Sequence, residues 1–233
     1  MPDWIGNALA VHTVNQRGMD AQANDYYATD PKAVTLLLEQ EVFSPDVWEP
    51  ACGEGHISKV LDAHGYTVHS TDIYDYGYSD APCENFLTTS VQSWCGDIIT
   101  NPPYKYAKEF VEKALSLVVE GRKVAMFVKL TFLEGQARRE LFRKHPPKTV
   151  YVSSARLECG KNGKFTGSSA VAYCWIVWEK GFTGIPKLKW INWHTKRRQV
   201  EITRPLPFYH KGSPDGFPFS DVQFHFGIGH YFS

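Results

Sequence analysis

Asn101, Pro102, Pro103 and Tyr104 follow one another directly after the apolar run Asp97-Ile98-Ile99-Thr100. Two successive prolines remove two backbone donors and stiffen the chain. The Pro102 carbonyl is left pointing outward without a helix partner, next to the side-chain oxygen of Asn101. Two acceptors placed so rigidly can hold both hydrogens of an exocyclic amine. The nitrogen lone pair is then drawn out of conjugation and aimed at an electrophilic methyl group. Tyr104 adds a flat face on which a base can stack. The competing reading is a proline-rich turn that merely ends a strand. The position of the four residues, at a strand end well beyond a glycine loop and on the face where ligands are expected, favours the chemical one.

That loop is Glu49-Pro-Ala51-Cys-Gly53-Glu-Gly55-His56. A G-x-G step between a strand and a helix lets a ligand approach the backbone closely, although taken alone it fits a tight turn equally well. Ser58 occupies the third position of the dinucleotide pattern G-x-G-x-x-G, which argues against a nicotinamide enzyme. Glu49, an acid at the strand end, is wrong for cradling a pyrophosphate and suits a ligand with a positive charge or a free amine. Asp72 follows Gly55 by 17 residues, the place of an acid that accepts ribose hydroxyls; a helix cap or a solvated turn is the alternative. Ile73 beside it can cover one face of a purine. Together the two loops describe a nucleoside ligand with a cationic or amine-bearing tail and no phosphate, a description that S-adenosylmethionine fits.

The elements that must position these residues alternate. A helix is expected from Thr29-Asp30-Pro31 onward, capped by Thr29 or Asp30, with Val34, Leu37 and Leu38 on one face. Strands are expected at 46–50, 66–72, 97–100 and 123–130, the last apolar throughout as a buried parallel strand requires. Helices are expected at 56–65, 105–121 and 135–145, and further strands at 148–154 and 170–179. Strand and helix alternating in this way predict an α/β fold, a Rossmann-like doubly wound and mostly parallel sheet. The last two strands lack a long helix between them and should form an antiparallel hairpin at one edge. In such sheets ligands bind beyond the carboxyl ends of the strands, where Glu49, Asp72 and Asn101 all fall. Residues 1–24 read as an N-terminal arm, 25–180 as the catalytic domain, and 181–233 as a loop-rich extension.

Of the 233 residues 43% are hydrophobic and 21% charged, enough for a sizeable core and against wholesale disorder. Formal net charge is zero, so phosphate binding would depend on local patches. Cys52, Cys83, Cys95, Cys159 and Cys174 form an odd, scattered set without a C-x-x-C pair. Neither a zinc ribbon nor a disulfide framework is suggested, and reduced cytoplasmic thiols fit better. The N-terminus lacks the pattern of a leader, and no window reaches the length of a membrane span. His225 and His230 have no carboxylate or cysteine neighbours and read as packing residues, so no metal is expected.

In their order and spacing, EPACGEG, TDI and ITNPPY resemble the S-adenosylmethionine-dependent amino methyltransferases, and within them the DNA adenine-N6 methyltransferases of the short phage and prophage type. The resemblance spans roughly residues 24–193 and includes NDYYATDPKAV, similar to the family's N-terminal cofactor motif, and FVKLTFLEGQARRELF and AYCWIVWEKGFTG, similar to later strands of the phage group. It implies the class I methyltransferase fold. It implies that Glu49, Ala51, Gly53 and Gly55 surround the methionine part of the cofactor, that Tyr27, Thr29 and Pro31 contact its carboxylate end, that Asp72 holds the ribose, and that Ile73 touches the adenine. Asn101, Pro102, Pro103 and Tyr104 would be catalytic. One departure stands out: the family's Asp-Phe after the third strand is Asn85-Phe86 here, so Asn85 offers an oxygen acceptor in place of the carboxylate and Phe86 would stack. Glu84 is an alternative register.

An adenine inside a duplex is out of reach and must be flipped into the pocket, at a cost of a few kcal/mol that stacking on Tyr104 offsets by roughly 1–3 kcal/mol. Transfer would be direct, without a covalent enzyme intermediate and without a role for the cysteines. For DNA contact, residues 187–198 hold five Lys/Arg and no acid, interleaved with Trp190 and Trp193; an edge strand with a solvated basic end is the alternative. Lys161, Lys164 and Phe165 in the loop from Arg156 to Ala170, together with Lys196, Arg197 and Arg198, are the expected nucleic-acid contacts, with Phe165 closing over the flipped base. Arg138, Arg139, Arg143, Lys144 and Lys148 form a second basic cluster that reads as a solvated helix face. No segment is large enough for a separate target-recognition domain, which predicts a short or relaxed recognition sequence. Cytosine-N4, RNA and protein-glutamine methylation, and a non-catalytic DNA-associated subunit, are the alternatives.

Overall fold

The computed structural model describes residues 27–78, 83–161, 165 and 171–191, with only the backbone of Lys161. The chain divides into two units, residues 1–195 and 196–233. The second unit and the arm expected over residues 1–24 lie outside the described residues.

Among the described residues seven strands form the main sheet: β2 (Asp46–Glu49), β3 (Thr67–Ser70), β4 (Asp97–Thr100), β5 (Lys123–Lys129), β6 (Thr149–Ser153), β8 (Tyr173–Glu179) and β9 (Lys187–Ile191), in the order β3-β2-β4-β5-β8-β6-β9. Strands β3, β2, β4 and β5 are mutually parallel. Strand β8 runs antiparallel to both β5 and β6, and β9 runs parallel to β6. The doubly wound, mostly parallel sheet with an antiparallel pair is as the sequence predicts.

The pair differs in place. Strand β8 is inserted between β5 and β6 instead of lying at the rim, and β9 covers the outer side of β6. The reason lies in the sequence of β8: its residues Tyr173 to Trp178 are all buried, and a strand apolar on both faces needs neighbours and cover on both sides. Strand β9 is exposed at its first four positions and carries Lys187 and Lys189, which suits an edge, where lysines discourage further pairing.

Side chains alternate across the sheet with period two. Trp48, Ile98, Met126 and Ile176 enter the core beneath α3 (Ala107–Leu117) and α4 (Arg139–Lys144). Val47, Ile99, Phe127 and Trp175 enter the opposite core beneath α1 (Pro31–Leu38) and α2 (His56–Ala63). Asp30 caps α1 by accepting from the Lys32 N–H at 2.9 Å, with Pro31 at the first helical position. Helix α3 begins after a 3-10 turn at Tyr104–Tyr106 and is shorter at both ends than the sequence suggests; at its far end Val118 is already extended and bridges Trp94. A separate two-stranded antiparallel sheet pairs β1 (Tyr27–Thr29) with β7 (Cys159–Lys161). It ties the segment before α1 to the loop after β6. Because β2, β3, β4 and β5 are parallel, Glu49, Asp72, Asn101 and Lys129 all emerge at one end of the sheet.

Candidate active site

Asn101 is the first residue beyond β4. Its Nδ2 donates to the Tyr27 carbonyl at 2.8 Å and lies 3.9 Å from Cys159 Sγ. A flipped amide would set two oxygens against each other, so this bond fixes which end is which. Oδ1 is then buried and accepts no hydrogen bond. An unsatisfied buried acceptor costs free energy, on the order of 1–3 kcal/mol, and such atoms cluster where a ligand completes them. The Pro103 carbonyl accepts from Tyr106 N–H at 2.9 Å, closing the turn, while no donor among the described residues bonds the Pro102 carbonyl. Two acceptors of adjacent residues therefore stand without partners among the described residues at one strand end.

Tyr104 is packed beside them. Its ring lies 5.4 Å from Tyr27 and 6.0 Å from Tyr173, tilted by 34° and 33°. Lys129 Nζ sits 4.6 Å from the ring centroid, and the hydroxyl is 3.1 Å from Cys159 Sγ. Burial pushes the Tyr104 phenol well up and raises the Cys159 thiol to about 11. Both groups are neutral at physiological pH, so Cys159 is a hydrogen-bonding partner and not a nucleophile.

The glycine loop turns through Gly53 (φ 52°) and Gly55 (φ 75°). Gly55 is required twice over: a side chain is disfavoured at that φ, and a Cβ there would lie 2.3 Å from Tyr78 ring atoms. Asp72 ties the loop down, accepting from Gly53 N–H at 2.9 Å through Oδ2 and from Tyr74 N–H at 3.1 Å through Oδ1. Burial nevertheless pushes its carboxyl up to about 6, the backbone hydrogen bonds opposing only part of that rise. Glu49 is 1% exposed. Its Oε2 accepts from the Ser58 N–H at 2.8 Å and from the Ser58 hydroxyl, so it serves as the N-terminal cap that Gly55 cannot supply to α2. Burial raises its pKa as well.

The remaining expected residues fall as follows. Ile73 is partly exposed beside Asp72, and Ala51 packs against the core. Thr29 is buried at the end of β1 and Pro31 opens α1. Tyr27 meets Tyr104 and Asn101 directly, so its position is beside the tetrapeptide. Asn85 Oδ1 accepts from Leu87 N–H at 3.0 Å, so the oxygen expected to meet a ligand caps a 3-10 turn. Phe86 is 1% exposed and packs against Trp48 (5.2 Å) and Phe110 (5.1 Å). Its ring is a core ring, because the turn capped by Asn85 points it inward. Phe165 is 42% exposed and meets the His56 ring edge-on at 5.8 Å, at the start of α2. Lys164, Trp193, Lys196, Arg197, Arg198, His225, His230 and the Lys161 side chain lie outside the described residues.

Cys159, Tyr173 and Lys129 were not anticipated from the sequence. Lys129 could have been, since it ends the apolar strand β5. Cys159 and Tyr173 reach Tyr104 from distant strands, and no local pattern marks them. Among the described residues no group of three or more His, Cys, Asp or Glu could hold a metal ion, and no helix is long and apolar enough to cross a membrane.

No protein-family profile and no curated protein sequence matches the chain. Solved structures do. A candidate class I S-adenosylmethionine-dependent methyltransferase from Listeria monocytogenes superposes with a TM-score of 0.50 at 11% identity, covering 78% of this chain and 68% of the other. A protein solved in work on the conversion of a disulfide bond into a thioacetal group during echinomycin biosynthesis gives 0.51 at 11% identity, covering 67% and 84%. A candidate RNA methyltransferase from Pyrococcus horikoshii gives 0.49 at 13% identity, covering 77% and 99%. The first of these gives this chain the class I methyltransferase fold.

Proposed function

We propose that the chain transfers a methyl group from S-adenosylmethionine to the exocyclic N6 of adenine in DNA, acting on a base flipped out of the duplex in the cytoplasm of a bacterial or phage-infected cell. The observation that carries this reading is the pair of partnerless acceptors, Asn101 Oδ1 and the Pro102 carbonyl, at the carboxyl end of β4. An exocyclic amine has two hydrogens for two such acceptors. Bonded to both, its lone pair is freed from the ring, and a stacked ring at Tyr104 holds the base in plane. The cofactor supplies the electrophilic methyl group when bound. Asn101 Oδ1 and the Pro102 carbonyl would hold the amine so that its lone pair takes the methyl group that the bound cofactor would supply, leaving the S–C electrons on sulfur, while the extra amine proton leaves to water.

The acids at the other loops fit a cofactor without phosphate. Asp72, after β3, can take ribose hydroxyls, and the turn at Gly53 and Gly55 brings backbone close beside it. Ile73, exposed beside Asp72, would cover the base of the cofactor, and the buried Glu49 holds the loop in shape through Ser58. The DNA surface in this reading includes Phe165, Lys161, Lys164, Lys196, Arg197 and Arg198. Strand β9 adds Lys189 and a Trp190 that is 68% exposed.

Methyl-labelled cofactor offered together with unmethylated DNA, total RNA and a protein lysate tests the substrate class. Label is expected in DNA; label confined to RNA or protein would overturn the assignment.

The half-buried Asp72 carries a pH signature. Its carboxyl is pushed up to about 6 in the fold, so folding favours the protonated form, and that stabilisation is present at low pH and lost as pH rises through about 6. Ribose hydroxyls instead need the charged form. KM for S-adenosylmethionine should therefore be about tenfold higher at pH 5 than at pH 7.5, because roughly a tenth of the carboxyls are ionised one unit below their pKa. Cofactor binding should release a proton near pH 6, measurable by titration calorimetry in buffers of different ionisation heat. An Asp72→Asn protein should show neither effect; a flat KM in the unaltered protein would remove Asp72 from the cofactor site.

A further inference from the structure

We infer that Lys129 is a positioning residue that binds a backbone phosphate of the nucleotide presented to Asn101; this rests on the function proposed above and narrows its substrate to a polynucleotide. Lys129 ends β5, next to β4 in the sheet. The β4–β5 register pairs Thr100 with Met126, so Lys129 projects beyond the strand end from which Asn101 emerges. Its ammonium lies 4.6 Å from the Tyr104 ring centroid and 5.8 Å from that of Tyr27. Among the described residues no Asp or Glu pairs with it. A cation at a strand-end site, without a carboxylate and resting on ring faces, is held for an anion that arrives later.

Two anions could be that partner, a nucleotide phosphate or the carboxylate of the cofactor. The sheet order favours the phosphate, even with Tyr27, expected at the carboxylate end of the cofactor, beside the ammonium. The glycine loop follows β2 and Asp72 follows β3, both on one side of β4. Lys129 is on the other side, so Asn101 separates it from the cofactor loops. The face of Tyr104 that the ammonium covers is also a face that a flipped base needs. A base stacking there displaces the ammonium, and the phosphate of the same nucleotide gives it a stronger, fully charged partner. Lys129 thus exchanges a ring for a phosphate as the base enters. A glutamine side chain brings no such anion, which separates polynucleotide from protein substrates.

The test is steady-state kinetics on an unmethylated duplex, with anisotropy binding of the same duplex in parallel. Lys129→Ala should raise KM for DNA about tenfold while kcat and KM for S-adenosylmethionine stay within about twofold. The slope of log affinity against log salt should fall by about one, the loss of one phosphate contact. Lys129→Arg should restore most of the affinity and the slope. A neutral methylphosphonate beside the methylated adenine should weaken the unaltered protein by the same factor and Lys129→Ala no further. A change in KM for the cofactor alone would give the ammonium to the carboxylate and overturn the inference. Unchanged DNA affinity and slope would make Lys129 a ring-packing cation and overturn it too. If the unaltered protein binds DNA but methylates none, the proposed reaction fails while the anisotropy slope still decides Lys129; if it binds no DNA, both fall.

Discussion

Replacing Asn101 by alanine is expected to lower kcat about 100- to 1000-fold, the scale of losing one preorganised polar contact to a transition state. The substitution deletes Oδ1, the buried acceptor without a partner, and leaves the Pro102 carbonyl to hold the amine alone. With one hydrogen unheld, the amine stays conjugated with its ring and its lone pair is not aimed at the methyl carbon. The substitution also removes the 2.8 Å bond from Nδ2 to the Tyr27 carbonyl, worth about 1 kcal/mol of stability. That loss is too small to unfold the chain. The affinity for S-adenosylmethionine should stay within about twofold, because Asp72 and the glycine loop are untouched. Single-turnover rates with bound cofactor measure the effect, and a rate within about fivefold of the unaltered protein would show that Asn101 does not hold the amine.

The second large effect is expected at Trp48, away from the reacting atoms. Trp48 is fully buried, meets Phe86 edge-on at 5.2 Å and Trp94 at 5.5 Å, and donates from Nε1 to Thr71 Oγ1 at 2.9 Å. Trp48→Ala should cost about 3–5 kcal/mol, the transfer term plus a cavity between the sheet and the helices that cover it, and lower Tm by on the order of 10 °C for a chain of this size. The cost should reach the site as well. Trp48 precedes Glu49, and its partner Thr71 precedes Asp72. Loosening that bond frees both cofactor loops at once, so KM for S-adenosylmethionine should rise even at temperatures where the protein stays folded. Calorimetry and cofactor titration check the two parts. A loss below about 1 kcal/mol would mean that the sheet does not depend on this ring.

These two residues also show how far a single sequence reaches. The apolar run before Asn101 and the proline pair after it make a strand end with stiff acceptors legible without any structure, because both signals are local. The alternation of strand and helix was likewise enough for the class of the sheet. The place of β8 was not, since an apolar strand does not state which neighbours it will lie between. The company of Tyr104 was hidden for the same reason: Cys159 and Tyr173 arrive through pairings of β7 with β1 and of β8 with β5, and long-range pairing leaves no period in the chain. The burial of Phe86 was legible in another way. The stretch Glu84-Asn85-Phe86-Leu87 carries a local signal, an Asn accepting from the N–H two residues on, and that turn sends Phe86 into the core. Reading Asn85 as a cap would have predicted it.

The measurement that tests the central claim most directly is the identity of the methylated nucleoside. Purified protein, S-adenosylmethionine and unmethylated DNA are incubated, the DNA is digested to nucleosides, and the products are separated and weighed by mass spectrometry. N6-methyldeoxyadenosine, absent when Asn101→Ala replaces the unaltered protein, is the predicted result. N4-methyldeoxycytidine in its place would contradict the choice of base, and DNA returned without any methylated nucleoside would contradict the account at its centre.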